Sequence, residues 1–173
     1  MSNRFYLLLL LATVSWALHA DSKIVLISSP GDYTGRGNNY LYTSENALIK
    51  YSRYQDHGIT VDIDNLPGHA PNWWTLDVTS PDNTQIKPGL YKDAVRIPFQ
   101  TPGQPGLLFS GNGRYCTAIN GWYEIHSVKY DETGDLESLD MQFEQRCVGY
   151  TASIHGEIRF NVSADVDNYI DIP

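Results

Sequence analysis

Positive charge is scarce in this chain: twelve Lys and Arg stand against twenty Asp and Glu, for a formal net charge of −8. Such a chain repels phosphate backbones and anionic lipid. No basic cluster reverses that balance, so nucleic acid is not expected as a partner. Helical periodicity is missing as well: no segment long enough for a helix keeps apolar residues at helical spacing. After the first twenty residues there is no long apolar run, so no membrane span is expected. Metal and nucleophile signatures are absent too. His57, His69, His126 and His155 are not spaced at i, i+2 or i, i+4, so no zinc motif forms. No G-x-S-x-G elbow exists, which leaves only a triad assembled from distant residues as a nucleophilic route. No cofactor motif is found, and none is predicted.

The apolar run that does exist opens the chain. Arg4 precedes Leu7 to Val14, which are apolar apart from Thr13. Trp16 to Leu18 extend the run, and small Ala20 is followed by polar Asp21 and Ser22. Charge, apolar core and small residue in that order predict a cleavable signal peptide over residues 1–20, with the mature chain starting at Asp21. Cleavage leaves 173 − 20 = 153 residues, and losing Arg4 with no acid takes the charge to −8 − 1 = −9. That length suits one domain, read here as a β domain over 21–162 followed by an acidic tail over 163–173. The predicted location is periplasmic or secreted. The chain has two cysteines, and a pair of thiols in an exported chain is usually bonded, so Cys116 and Cys147 are expected to form a disulfide.

What the chain has in quantity is strand chemistry. Tyr, Val, Ile, Thr, Trp and Phe recur, and Gly and Pro punctuate them at short intervals. Ile59, Val61 and Ile63 alternate with Thr60, Asp62 and Asp64. Trp74, Leu76 and Val78 alternate with Trp73, Thr75 and Asp77, and Leu139, Met141 and Phe143 with Asp140, Gln142 and Glu144. Alternation of this kind buries one face of each strand. Tyr123 and Ile125 differ in parity from Val128 and Tyr130, so a one-residue bulge near His126 or Ser127 is predicted to bring all four to one face. Asn39–Ser44 and Ala47–Tyr54 read as a hairpin. About ten short strands without helices predict an all-β fold, an antiparallel β-sandwich with a flattened β-barrel as the alternative arrangement.

Several segments follow one another in a recognisable order. They are Gly31-Asp32-Tyr33-Thr34-Gly35-Arg36-Gly37, Trp73-Trp74-Thr75-Leu76-Asp77, Pro88-Gly89-Leu90-Tyr91 and Arg96-Ile97-Pro98-Phe99-Gln100. Pro105-Gly106-Leu107, Gly111-Asn112-Gly113-Arg114-Tyr115-Cys116, Phe143-Glu144-Gln145-Arg146-Cys147 and Gly156-Glu157-Ile158-Arg159 complete the set. Over roughly residues 29–161 the chain resembles a family of exported bacterial β domains that carry G-D-Y-x-G-x-G, P-F-Q, G-R-x-C and F-E-Q-x-C segments. It departs from that pattern at Arg146, where the family often has His, and at Val148, where it has an acidic residue. The resemblance implies export, a β architecture and the disulfide; it implies no activity.

The candidate site residues come from surface chemistry. Asp140, Gln142, Glu144 and Arg146 share the outward face of one strand, and His155, Glu157 and Arg159 share a face of the next. Pairing of these strands would make a polar ladder, either of cross-strand ion pairs or of binding groups, with Glu144 and Glu157 as an acid–base pair in a catalytic variant. Of Trp73 and Trp74, only Trp74 has the parity of the core, so Trp73 faces outward. Trp122 opposes Tyr123 in the same way. Exposed aromatics on a sheet suit a carbohydrate or peptide surface unless the Pro-rich loop at 98–106 covers them. The predicted ligand-binding set is Trp73, Trp122, Glu144, Arg146, Glu157 and Arg159. Asp62, Asp64, Asn65, Asp77 and Asp82 form either a solvated acidic face or the start of a calcium site, which takes 6–8 oxygens.

Three functions remain open on these grounds. The first is a non-enzymatic binding module for a carbohydrate or protein partner, marked by exposed Trp. The second is a periplasmic inhibitor or immunity-type protein, marked by a protruding acidic loop. The third is a small hydrolase with a dispersed site, marked by a cleft that holds Glu144 or Glu157 beside a His.

Overall fold

The computed structural model describes residues 21–55, 57–70 and 72–162; the predicted signal peptide and the acidic tail lie outside the described residues. The alternating segments form ten strands and, among the described residues, no helix. They are β1 (Asp21–Ser28), β2 (Asn39–Thr43), β3 (Ala47–Tyr54), β4 (Gly58–Asn65) and β5 (Trp73–Thr79), then β6 (Gly89–Arg96), β7 (Gly106–Gly111), β8 (Ile119–Tyr130), β9 (Leu136–Cys147) and β10 (Ile154–Val162). No helix among these residues is long and apolar enough to cross a membrane. The predicted bulge is present: Ile125 pairs with Met141 and Ser127 with Asp140, so the register slips by one residue at His126. Tyr123 and Ile125 are buried, and Val128 packs on the same core.

All ten strands belong to one sheet in the order β2-β1-β10-β9-β8-β6-β7-β5-β4-β3. The all-β prediction holds, and of its two arrangements the structure takes the flattened barrel. The physical reason is β6, which hydrogen-bonds to β8 on one side and to β7 on the other and so joins what would otherwise be two sheets. The sheet is mixed. Every pair is antiparallel except β6–β7, which pairs parallel at Val95–Gly106 and Arg96–Leu107. That one parallel step makes the two edge strands, β2 and β3, run in the same sense. The predicted hairpin between them therefore does not form: β2 pairs with β1 and β3 with β4. Asn46 turns the corner instead. Its Oδ1 accepts from the Thr43 amide at 2.9 Å, and its Nδ2 donates to the Leu41 carbonyl at 2.9 Å. No ladder joins β2 to β3, so the sheet is nearly closed into a barrel, and the chain itself turns the remaining corner.

Side chains fill the interior. A run of rings crosses it from β2 to β9: Tyr40 meets Trp74 at 5.1 Å, Trp74 stacks on Phe109 at 5.2 Å, and Phe109 meets Phe143 at 5.1 Å between centroids. Trp74 Nε1 donates to the Tyr42 hydroxyl at 2.7 Å, which satisfies the one polar atom of the buried indole. Gly156 on β10 makes room for this packing, because a Cβ there would overlap the Phe143 ring. Among the described residues these rings and the aliphatic side chains around them occupy the interior, which turns attention to the outer wall.

Gln145 completes the wall from inside. β6 leaves β7 after Arg96, and the next β7 rung, at Phe109, would be left without a strand beside it. Gln145 is 1 % exposed. Its Oε1 accepts from the Phe109 amide at 2.7 Å, and its Nε2 donates to the Phe109 carbonyl at 2.8 Å. One side-chain amide stands in for one peptide of a missing strand.

The Cys116–Cys147 disulfide is present, with a Cα–Cα distance of 5.2 Å, inside the range for a native bridge. Cys147 shares the inward parity of Phe143, and both cysteines are buried. The bridge ties the 112–118 segment to β9. That segment makes a single bridge to β7, Gly111–Arg114. Arg114 donates from Nε to the Thr34 carbonyl at 2.8 Å. A disulfide is the chemistry of an environment other than a reducing cytoplasm. Thiol titration of unfolded, unreduced protein is expected to find no free thiol. With the cysteines 31 positions apart in sequence, reduction is expected to cost about 3–4 kcal/mol of stability in urea unfolding, from loop entropy in the denatured chain. A loss below about 1 kcal/mol would contradict the loop-entropy account.

Candidate binding site on the outer wall

Strand pairing decides which outward residues meet. On β9, outward Glu144 lies between Trp122 of β8 and His155 of β10, and Gln142 lies between Glu124 and Glu157. The predicted polar ladder is therefore real as a register. Gln142 Nε2 donates to Glu124 Oε2 at 2.9 Å and holds that carboxylate in place. The His155 ring sits against Trp122 with centroids 5.9 Å apart. Further along, Arg159 approaches Asp140 at 3.9 Å.

A groove of about 620 Å³ opens on this wall where β6 meets β8, within the ~300–1,000 Å³ of small-molecule sites. Its floor and one side come from Asn120, Gly121, Trp122 and Glu124 of β8 with Glu144 and Arg146 of β9. The other side comes from Leu90 and Lys92 to Val95 of β6, and Gln104 of the 97–105 loop closes one end. The cause is a break in β6. Its register against β8 slips between Tyr91 and Ala94, and Asp93 takes a left-handed φ of 55°. A non-glycine residue there is uncommon, and bulges of this kind re-aim side chains beside functional sites. Inward, Tyr91 stacks on Tyr123 at 4.5 Å; outward, the slipped segment leaves the groove.

Comparison of the chain with family profiles, with curated proteins and with solved structures gives no match. The reading of the site therefore rests on its own geometry.

Of the six residues proposed from sequence, the structure gathers Trp122, Glu144 and Arg146 into the groove. Glu157 and Arg159 share the same outer wall, one strand away on β10, and do not line it. Trp73 lies elsewhere. It is 46 % exposed, while Trp74 is 1 % exposed, as strand parity requires. Its carbonyl and amide are held by Asn112, at 3.1 and 3.0 Å. The 97–105 loop does not cover it. That loop docks at the opposite end of β5, where Gln100 donates to Thr79 and Gly103 to the Pro81 carbonyl. The β6 contributors and Glu124 were not foreseen. Their only local signal was the Pro88-Gly89 strand start, because β6 pairs with β8 across an intervening β7 that sequence order conceals.

The acidic face on β4 and β5 is built from interlocked hydroxyl–carboxylate pairs. Thr60 donates to Asp77 at 2.6 Å and Thr75 to Asp62 at 2.8 Å. Among the described residues, no three His, Cys, Asp or Glu side chains are placed to hold a metal ion. Burial raises Asp77 above the ordinary carboxylate range; the Thr60 hydrogen bond opposes this and the Asp62 charge adds to it. The folded state therefore binds this proton more tightly than the unfolded chain. Stability tied to Asp77 is present below the unfolded carboxylate value of about 4 and is lost as pH rises through the raised folded value. Asp77→Asn keeps an acceptor for Thr60, so it is expected to raise the melting temperature at pH 7 and to lose that advantage near pH 3. A variant that melts lower at both pH values would contradict this.

Proposed function

We propose that this chain is an exported, non-enzymatic binding module that acts in the periplasm or outside the cell and holds its ligand in the outer-wall groove. One observation carries the reading: at the only break in β6, an aromatic platform, Trp122, is placed beside carboxylate, guanidinium and amide groups on paired strands. The β9 strand beneath is paired on both sides, and Glu124 and Trp122 are already held by Gln142 and His155, so part of the site is ordered before any ligand arrives, which is the economical way to bind. Half-buried Trp122, backed by His155, would then be the anchor. The expected result in a two-dimensional amide NMR screen with a library of small polar compounds is that hits move the signals of residues 90–95, 120–124 and 144–146. Hits that map only to other faces, or no hits at all, would defeat the proposal.

A second reading has one observation in its favour. Glu144, which lines the groove, is the direct cross-strand partner of His155, the kind of neighbour a small hydrolase would use. In the structure, however, the His155 ring packs on Trp122. Turnover of a groove ligand that is abolished by Glu144→Gln would establish the hydrolase and displace the binding module. The inhibitor reading asked for a protruding acidic loop. The Asp131–Asp135 turn is the acidic one, and it is tied to the barrel through Arg53, whose Nε reaches Asp135 at 3.0 Å.

A further inference from the structure

We infer that the groove takes a neutral saccharide, a short chain of pyranose rings rather than a peptide, a nucleotide or an apolar molecule. The inference rests on the reading of the groove as the binding site and adds the ligand's chemical class.

Charge argues first. The ionisable lining residues are Lys92 and Arg146 against Asp93, Glu124 and Glu144, so the formal balance is +2 − 3 = −1. The chain as a whole stands at −8. Neither value attracts phosphate or a polyanion. Leu90, Ala94, Val95 and Trp122 give the groove apolar surface as well, but a wholly apolar ligand would bury the five charges without partners.

Backbone geometry argues next, against a peptide. An extended peptide is captured by adding to a sheet edge, where N–H and C=O groups lie unpaired. The floor of this groove is β8 and β9. β9 is paired on both sides, with β8 and β10, while β8 is paired with β9 beneath the groove and with β6 at Gly121 and over Tyr123–Ile125, which leaves Asn120 and Trp122 without a β6 partner. That gap is too short for an added strand, so the floor offers mainly side chains.

What those side chains offer matches a sugar. A pyranose presents a C–H face that packs on an aromatic ring and a rim of hydroxyls that each donate and accept. Trp122 supplies the ring, and His155 at 5.9 Å steadies it from the β10 side. Glu124 and Glu144 accept, Arg146 and Lys92 donate, Asn120 does both, and Gln104, whose Oε1 already accepts from the Thr101 amide and hydroxyl, donates from Nε2. Glu124 is already pinned by Gln142 at 2.9 Å, so its orientation is set before binding. The groove is open along β6 and holds about 620 Å³, which suits a chain lying along the wall.

The test uses the purified full chain with cellotetraose, maltotetraose and chitotetraose as neutral probes. Tetragalacturonate and an extended polar peptide are the contrasting ones. Each is followed by tryptophan fluorescence and by amide chemical shifts. At least one neutral oligosaccharide is expected to saturate at concentrations at or below about 1 mM, the weak end of specific affinity. It should move the amides of Ala94, Gly121, Trp122 and Glu144. Trp122→Ala should weaken it at least about tenfold, as expected for a central aromatic anchor. If the variant does not fold, the shift map on the unmodified chain decides alone. Failure of all three neutral probes overturns the saccharide. If the acidic sugar or the peptide then moves the groove amides, the groove remains a binding site and only the ligand class is wrong. If every shift maps away from the groove, both readings fall. Release of reducing ends from a bound probe would keep the saccharide and replace the binding module by a hydrolase.

Discussion

Gln145→Leu is expected to lower the stability of the fold by about 2–6 kcal/mol, since it strips two buried backbone groups of their partners at roughly 1–3 kcal/mol each. Leu matches Gln in size, so packing volume is nearly conserved and the loss isolates the hydrogen bonds. The Phe109 amide and carbonyl face the interior at the point where β6 has turned away. No other strand reaches them, and the Gln145 amide bonds both, at 2.7 and 2.8 Å. Urea unfolding should show the drop in midpoint with an unchanged slope. Hydrogen exchange at the Phe109 amide should accelerate at the same time. A loss below about 1 kcal/mol, the size expected of an ordinary surface change, would show that water or a shifted strand replaces the rung.

The second large effect contrasts two adjacent tryptophans. Trp74→Ala is expected to cost about 3–5 kcal/mol, the range for emptying a buried aromatic site. It would open a void between Tyr40 and Phe109, which its ring touches at 5.1 and 5.2 Å, and would leave the Tyr42 hydroxyl without its 2.7 Å donor. Trp73→Ala should change stability by less than about 1 kcal/mol, because that ring is 46 % exposed and its backbone anchors to Asn112 do not depend on the side chain. Equal losses for the two variants would mean that Trp73 is covered in solution. A Trp73→Ala variant that folds normally but loses a macromolecular partner would assign that face a contact role separate from the groove.

These two experiments also separate what is local from what is not. The Trp73/Trp74 distinction follows from the pleat alone: successive side chains leave a strand on opposite faces, and the neighbours Leu76 and Val78 mark the inner one. The bulge at His126 follows from the same rule, because only an extra residue reconciles Tyr123 and Ile125 with Val128 and Tyr130. Gln145 shows the limit. It has the parity of Phe143 and Cys147, so its inward direction was legible, but a buried amide has no meaning until its partner is known. That partner, Phe109, lies 36 residues away on a strand that does not pair with β9.

The groove divides in the same manner. Trp122, Glu144 and Arg146 could be chosen from strand parity and residue chemistry, since β8 and β9 form a hairpin and their register is set by a short turn. Lys92, Asp93 and Gln104 could not, because β6 reaches β8 past β7 in sequence, and no local period encodes a non-sequential pairing. The single parallel step between β6 and β7 has the widest consequence. It sets β2 and β3 running in one sense, converts an expected hairpin into a corner, and joins what read as two sheets into one nearly closed barrel.

The sequence by itself determined the strands, their buried faces, the bulge and the disulfide partners, because periodicity of two and the pairing of two lone cysteines are local or forced. Only the tertiary structure decided the strand order, the rung supplied by Gln145 and the site where Trp122 meets β6. The physical reason is that a strand's side-chain pattern states how much of it is buried, while which strand lies beside it depends on backbone hydrogen bonds that every residue can make alike.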